Sequence, residues 1–247
     1  MQQQKVCVVM PTYNNGGTLH DVVERVLAYC ADVIVVNDGC TDNSAEILAS
    51  FGEHITVVDY GRNRGKGYAL KQGFKKAKAL GFDYALTIDS DGQHFPEDIP
   101  LFVEALEQHL GALIVGSRNL NQENMPGGNT FVNKFSNFWF KIQTGISLPD
   151  TQTGYRLYPL KHMPSLALLT SRYEAELELL VFSAWRGIDL FPVKINVFYP
   201  KSEERVTHFR PFWDFFRISL LNTILCLIAI VYGWPSRLIR KARRHHE

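Results

Sequence analysis

Only four cysteines occur in the 247 residues, Cys7, Cys30, Cys40 and Cys226, and their spacing matches no metal-ligand pattern. This excludes a disulfide scaffold and a thiolate zinc site, and it reads as reduced thiols in a cytosolic setting. Strong net charge is also lacking: the formal value is +1, so no global field favours nucleic acid. There is no internal repeat and no low-complexity segment, which excludes solenoids and arrays. With 46% hydrophobic and 21% charged residues, the composition is that of a globular chain able to bury a full core. No secretory leader precedes the first apolar run, since Met1-Gln2-Gln3-Gln4-Lys5 leads straight into it. The protein is therefore expected on the cytoplasmic side.

Short apolar runs recur at regular intervals, at residues 5–10, 33–36, 55–59, 84–88 and 112–115, with a further strand expected over 191–199. Helical spacing is read between them, over residues 45–51, 68–80, 130–144 and 174–186 and in Leu19, Val22, Val23 and Val26, where Thr18 is placed to cap. Strands alternating with helices predict a mostly parallel α/β sheet, in which ligands bind beyond the carboxyl ends of the strands. Those ends carry the polar, glycine-bearing loops. Residues 119–128 read as a mobile loop near the site.

The stretch with most chemistry is Asp89-Ser90-Asp91-Gly92-Gln93-His94, where an apolar strand stops at two carboxylates. Residues two apart on an extended chain point the same way, so Asp89 and Asp91 can grip one cation. Their hard oxygens suit Mg2+ or Mn2+. An acidic turn at a strand end is the alternative.

Six ordered motifs decide between these readings. Pro11-Thr12-Tyr13-Asn14, Asn37-Asp38-Gly39-Cys40-Thr41-Asp42, Asn63-Arg64-Gly65-Lys66-Gly67, the Asp89–His94 stretch, Gly116-Ser117-Arg118 and Asp150-Thr151-Gln152-Thr153-Gly154-Tyr155-Arg156 follow one another along the chain. In that order they resemble family 2 glycosyltransferases, most closely the dolichyl- and polyprenyl-phosphate sugar synthase branch, over roughly residues 5–200. The resemblance implies a GT-A (Rossmann-like) fold, a nucleotide-diphosphate sugar donor and a divalent metal. By position, Pro11, Tyr13 and Asp38 would line the nucleobase and ribose pocket with Lys66 nearby. Asp89, Asp91 and Gln93 would hold the metal and the diphosphate, with His94 as a phosphate contact or a structural group. Gly65 and Gly67 would let backbone approach a ligand. Cys40 departs from the serine usual in its motif.

On the acceptor side, Arg118 matches the arginine that would hold a lipid phosphate, with Arg205 and His208 as further candidates. A phosphate acceptor needs no base, whereas a hydroxyl acceptor does. Asp150, or one of the three acids Glu174, Glu176 and Glu178 that open a helix, would be that base, and the resemblance implies an acid at the position of Glu178. No enzyme nucleophile is implied, so inversion is expected. UDP-sugars are slightly favoured over GDP-sugars as donors. The Gln-x-x-Arg-Trp signature of processive polysaccharide synthases is absent. A nucleotidyltransferase would want a basic glycine loop after the first strand, which residues 11–17 lack. A non-catalytic adaptor is at odds with the retention of Asp38, Asp89 and Asp91.

The C-terminal part changes character. Residues 1–210 are expected to form the catalytic domain and 211–247 a hydrophobic membrane-associating segment with a basic tail. Its apolar core, residues 218–234, is slightly short of the roughly 20 residues a span needs. Positive charge at both ends favours an amphipathic helix lying in the membrane plane. The expected reading is a glycosyltransferase working on a lipid-linked acceptor at the cytoplasmic face of the inner membrane, without nucleic-acid partners.

Overall fold

Runs such as Val33–Asn37 are buried along their whole length, which only a sheet covered on both faces allows. In the computed structural model, which describes residues 1, 4–119, 127–163, 170–199 and 211–244, seven strands form one sheet in the order β3-β2-β1-β4-β6-β5-β7, and the two at its edges, β3 and β7, are only partly buried. They are β1 Val6–Thr12, β2 Val33–Asn37, β3 Thr56–Asp59, β4 Tyr84–Thr87, β5 Leu113–Arg118, β6 Arg156–Pro159 and β7 Leu190–Ile195. All neighbours run parallel except β6, which lies antiparallel between β4 and β5. The mostly parallel sheet of the sequence reading is present.

Two elements are new. Helix α4 (Ile99–Gln108) links β4 to β5, and β6 starts where the sequence suggested only a polar turn. The direction of β6 matters for function. Because it enters at the carboxyl ends of β4 and β5, pairing Arg156 with Thr87 and Val115, the turn before it reaches the same edge as the strand-end loops. β1 has β2 on one side and β4 on the other. The chain direction switches there, where a crevice forms in open α/β sheets.

Helices α1 (Gly16–Leu27), α2 (Ser44–Ser50) and α4 cover one face, while α3 (Lys66–Ala79), α5 (Gly127–Thr144) and α6 (Glu174–Trp185) cover the other. Leu19, Val22, Val23 and Val26 of α1 are buried as their spacing predicted. Thr18 does not cap α1, which begins at Gly16; its hydroxyl donates to the Ser90 carbonyl at 2.7 Å. The helix is thereby tied to the β4 loop. Of the residues expected to form the 119–128 loop, Gly127 and Gly128 already belong to α5 and 120–126 lie outside the described residues.

The C-terminal helices pack on this second face. Helix α7 (Pro211–Ile228) passes through a π-helical turn, Ala229–Gly233, into α8 (Trp234–Arg244). Pro235 therefore does not end the helix; with no N–H to give to the preceding turn, it follows directly on the π-helical stretch where the regular ladder is interrupted. The helical path Phe216–Arg240, at 25 residues, is long and apolar enough to cross a membrane by length and composition. Leu221, Leu225, Ala229 and Gly233, spaced by four, are buried against the body. A β-carbon on Gly233 would collide with the Trp185 indole, so this contact requires glycine. Gln143 Nε2 donates to Asn222 Oδ1 at 2.9 Å and Arg237 Nη1 to the Thr144 carbonyl at 2.7 Å. Buried polar bonds of this kind fix the register of an otherwise greasy contact.

Candidate active site

Three strand-end loops are stitched together at the switch point. Ser90 Oγ donates to the Pro11 carbonyl at 3.2 Å, and Asn15 Nδ2 donates to Ser90 Oγ at 2.9 Å. The β1 and β2 loops are joined by Cys40, whose sulfur accepts the Asn14 N–H at 3.2 Å and donates to the Thr12 carbonyl at 3.6 Å. A thiol thus takes the bridging position. Tyr13 is half-buried on the same edge.

Asp38, at the end of β2, is buried and committed to its neighbours. Its Oδ1 accepts from Tyr60 Oη at 2.7 Å and from the Arg64 N–H at 2.8 Å, and its Oδ2 accepts from the Gly65 N–H at 2.9 Å. The carboxylate fixes the β3–α3 loop and so shapes the pocket wall. Gly65, at φ 94°, and Gly67 make close backbone approaches, but to Ser171–Ala175 ahead of α6. A side chain on either would push that segment away; the partner of these glycines is protein.

The next residue, Lys66, opens α3 and is mostly buried, its side chain 16% exposed. Its Nζ lies 2.7 Å and 2.9 Å from the two oxygens of Asp89 and 3.0 Å from Glu176 Oε2. Burial alone would lower the lysine pKa, but the two carboxylates outweigh it and hold the ammonium charged. Asp89 is in turn held low, burial being outweighed by Lys66. Asp91 responds in the opposite direction. Burial, reinforced by the neighbouring Asp89 charge, pushes it up to about 6; its Oδ1 accepts the Gln93 N–H at 3.0 Å.

Among the described residues, no three of His, Cys, Asp and Glu converge to enclose a metal. The donors on offer are Asp89 and Asp91, with the Gln93 amide on the same loop. Two carboxylates that repel each other's charge, beside Gly154, where a β-carbon would crowd Asp89 Oδ2 at 2.9 Å, fit a hard divalent cation that keeps positions open for other ligands. His94 is buried against Tyr155, its Nδ1 is 4.0 Å from Asp89 Oδ2, and burial lowers its pKa to about 4. It is neutral at pH 7.

Arg118 and Asp150 form a second cluster. Arg118 Nε and Nη2 donate to the two Asp150 oxygens at 2.6 and 3.0 Å, and Asp150 Oδ1 also accepts from Asn133 Nδ2 at 2.7 Å and the Gln152 N–H at 3.0 Å. Asp150 is fully buried. Its own burial would raise its pKa, but the guanidinium outweighs this and holds it below the carboxylate range. Glu178 is buried elsewhere, its Oε2 accepting from the Thr170 N–H at 3.0 Å and hydroxyl at 2.7 Å. Arg205 and His208 lie outside the described residues.

The family model for glycosyl transferase family 2 matches residues 7–161, more than half of the chain. The chain belongs to glycosyl transferase family 2. A UDP-N-acetylglucosamine–dolichyl-phosphate N-acetylglucosaminyltransferase of Methanococcus voltae is 28% identical over 220 residues, 81% of this chain and 88% of that protein. An undecaprenyl-phosphate 4-deoxy-4-formamido-L-arabinose transferase of Photorhabdus laumondii is 35% identical over 167 residues, 64% of this chain; the match spans 50% of that relative's length. Glucosyl-3-phosphoglycerate synthase of Mycobacterium tuberculosis, solved with Mn2+, UDP-glucose and phosphoglyceric acid, aligns with TM-score 0.65 at 19% identity over 92% of this chain and 80% of its own. That likeness is one of GT-A fold.

In this family 2 glycosyltransferase, the sequence did not reveal the roles of two charged residues at the site edge. Glu176 holds Lys66, and Arg156, fully buried at the start of β6, donates to the Glu176 carbonyl at 2.6 Å and the Thr151 carbonyl at 2.9 Å. Glu174 and Glu178 share one face of α6, and Glu176, two residues from each, points about 200° away. Eleven of the twelve α6 residues are buried, so no solvent face in the sequence indicated which acid meets the site.

Proposed function

We propose that the chain transfers a sugar, with inversion, from a nucleoside-diphosphate sugar to a polyprenyl phosphate at the cytoplasmic membrane surface. UDP is the favoured nucleotide. An acceptor phosphate oxygen attacks the anomeric carbon, the bond from that carbon to the diphosphate breaks, and the nucleoside diphosphate leaves. Pro11, Tyr13 and Asp38 form the nucleotide side, and Lys66 faces the diphosphate. Asp89, Asp91 and Gln93 would hold Mg2+ or Mn2+, which when bound neutralises charge on the leaving diphosphate. Arg118 would receive the acceptor phosphate with a guanidinium edge not used by Asp150.

The observation that carries the phosphate acceptor is the state of the acids. Asp150 is spent on Arg118, Glu176 on Lys66 and Glu178 on Thr170, which leaves little to deprotonate a hydroxyl. The names of the methanococcal and Photorhabdus relatives, both prenyl-phosphate transferases, support the same acceptor. A hydroxyl acceptor is the second reading, and one observation favours it: Glu174 Oε2 is buried without a hydrogen-bond partner. Treating the product of radiolabelled UDP-sugar and polyprenyl-phosphate vesicles with mild acid separates the two. A sugar phosphate is expected to release its label; an acid-stable product sinks the phosphate reading.

Membrane placement rests on the outer side of the C-terminal helices. Leu227 is 61% and Val231 79% exposed, alongside Phe216, Leu220, Ile230 and Leu238. An apolar stripe of this length, continuous with the basic residues Arg237 and Arg240, fits the surface of an anionic bilayer. The inner stripe is already bonded to α5 and α6, which favours lying in the plane over crossing. A variant carrying Leu227→Glu and Val231→Glu is expected to lose about tenfold or more in partitioning to phosphatidylglycerol vesicles; partitioning equal to wild type in a flotation assay removes this surface.

A further inference from the structure

Glu176 Oε1 is buried and has no hydrogen-bond partner, although Oε2 of the same carboxylate lies 3.0 Å from the Lys66 ammonium. That ammonium lies closer to Asp89, at 2.7 and 2.9 Å. One cation therefore serves two carboxylates, and Asp89 has the larger share. Gly154 closes the cluster: a β-carbon there would sit 2.7 Å from Lys66 Nζ and 2.9 Å from both Asp89 Oδ2 and Glu176 Oε1. The three groups are packed against bare backbone with no room for a side chain.

This arrangement poses a conflict for any divalent cation taken up by Asp89. An ammonium and a metal ion cannot share the same two oxygens, because like charges at roughly 3 Å in a buried site repel strongly. Lys66 must yield some of its Asp89 contacts, and a buried ammonium without acceptors is costly. The spare acceptor is Glu176 Oε1. Its backbone is pinned by the Arg156 guanidinium, which donates to the Glu176 carbonyl, so the receiving carboxylate stays fixed while the flexible lysine stem moves.

We infer that Glu176 is a positioning residue that receives the Lys66 ammonium when a divalent cation takes Asp89, keeping the lysine in the site without competing for the metal's ligand. This role rests on the reading that Asp89 and Asp91 hold that cation. It is separate from catalysis and acts only through Lys66.

The test is a Mn2+ titration followed by electron paramagnetic resonance, without nucleotide, on wild type, E176Q, K66M and the double variant. With Glu176 neutralised, Lys66 stays on Asp89, so E176Q is expected to bind Mn2+ about tenfold more weakly than wild type. In the K66M background there is no lysine to displace, and the same change is expected to cost less than about twofold. E176D keeps the charge and is expected to bind Mn2+ within about threefold of wild type. An equal loss in both backgrounds would mean a through-space effect of the lost charge and overturns the role, as does E176Q binding like wild type or E176D failing as badly as E176Q. If wild type binds no Mn2+, the cation reading falls and this role with it. If wild type binds and the cycle is additive, only the role of Glu176 falls.

Discussion

Asp91→Asn is expected to lower turnover about a thousandfold while leaving the fold intact, the scale on which removing one group that stabilises transition-state charge acts. Asparagine keeps the size of the side chain and an oxygen to accept the Gln93 N–H, so the loop has no steric reason to move. What disappears is the second negative charge beside Asp89. The metal reading makes a further demand that a structural role for Asp91 would not. Since burial and Asp89 push the Asp91 pKa up to about 6, cation and proton compete for it, and metal affinity is expected to fall about tenfold per unit as the pH drops below 6. That pH dependence should vanish in the asparagine variant. Turnover at the wild-type level in Asp91→Asn removes the metal-site reading outright.

The contrast between Asp91 and its neighbours shows what the amino-acid order could and could not reveal. Parallel strands buried on both faces leave uninterrupted apolar runs, so β1, β2 and β4 and their polar loops were legible. Strand β6 was not, because Arg156-Leu157-Tyr158-Pro159 carries a charge and ends in proline. Its arginine is tolerated only because the Thr151 and Glu176 carbonyls accept from it, and those partners are distant or on the other side of a turn in sequence. The same limit hid Glu176. Three acids alternate along α6, and periodicity put Glu174 and Glu178 together on one face without saying which face meets the sheet edge. Motif reading found Lys66 and Asp89 but not that they form an ion pair, since 23 positions separate them. Composition identified the apolar C-terminal segment, yet its inner stripe is core: Leu221, Leu225 and Ala229 pack with Trp185. The sequence placed a boundary at residue 210, and the helix that begins at Pro211 packs against α5 and α6.

Asp150 tests whether the second cluster is a base or a clamp. If it were a free general base, Asp150→Asn would abolish activity on a hydroxyl acceptor and leave stability untouched. The geometry leads to a different expectation. Asparagine cannot offer two anionic oxygens to Arg118, so the variant strands a mostly buried guanidinium that burial disfavours and that Asp150, with a smaller contribution from Tyr199, holds charged. Losing one partner of such a pair costs about 3–5 kcal/mol. For a chain of this size that is a fall in Tm of roughly 10 °C. The pH dependence has a definite sign. The folded Asp150 carboxyl lies below its ordinary value of 3.8, so its contribution is complete above that value and is lost as the pH falls through the depressed one. Removing both charges together should undo much of the damage, because a buried pair replaced by neutral groups is often close to neutral in stability. The double variant Arg118→Met with Asp150→Asn is accordingly expected to melt several degrees above Asp150→Asn alone, yet to remain inactive for want of the phosphate-holding guanidinium. Thermal melts of the two variants decide the matter: a wild-type Tm in Asp150→Asn would free the carboxylate from Arg118 and return it to the role of base.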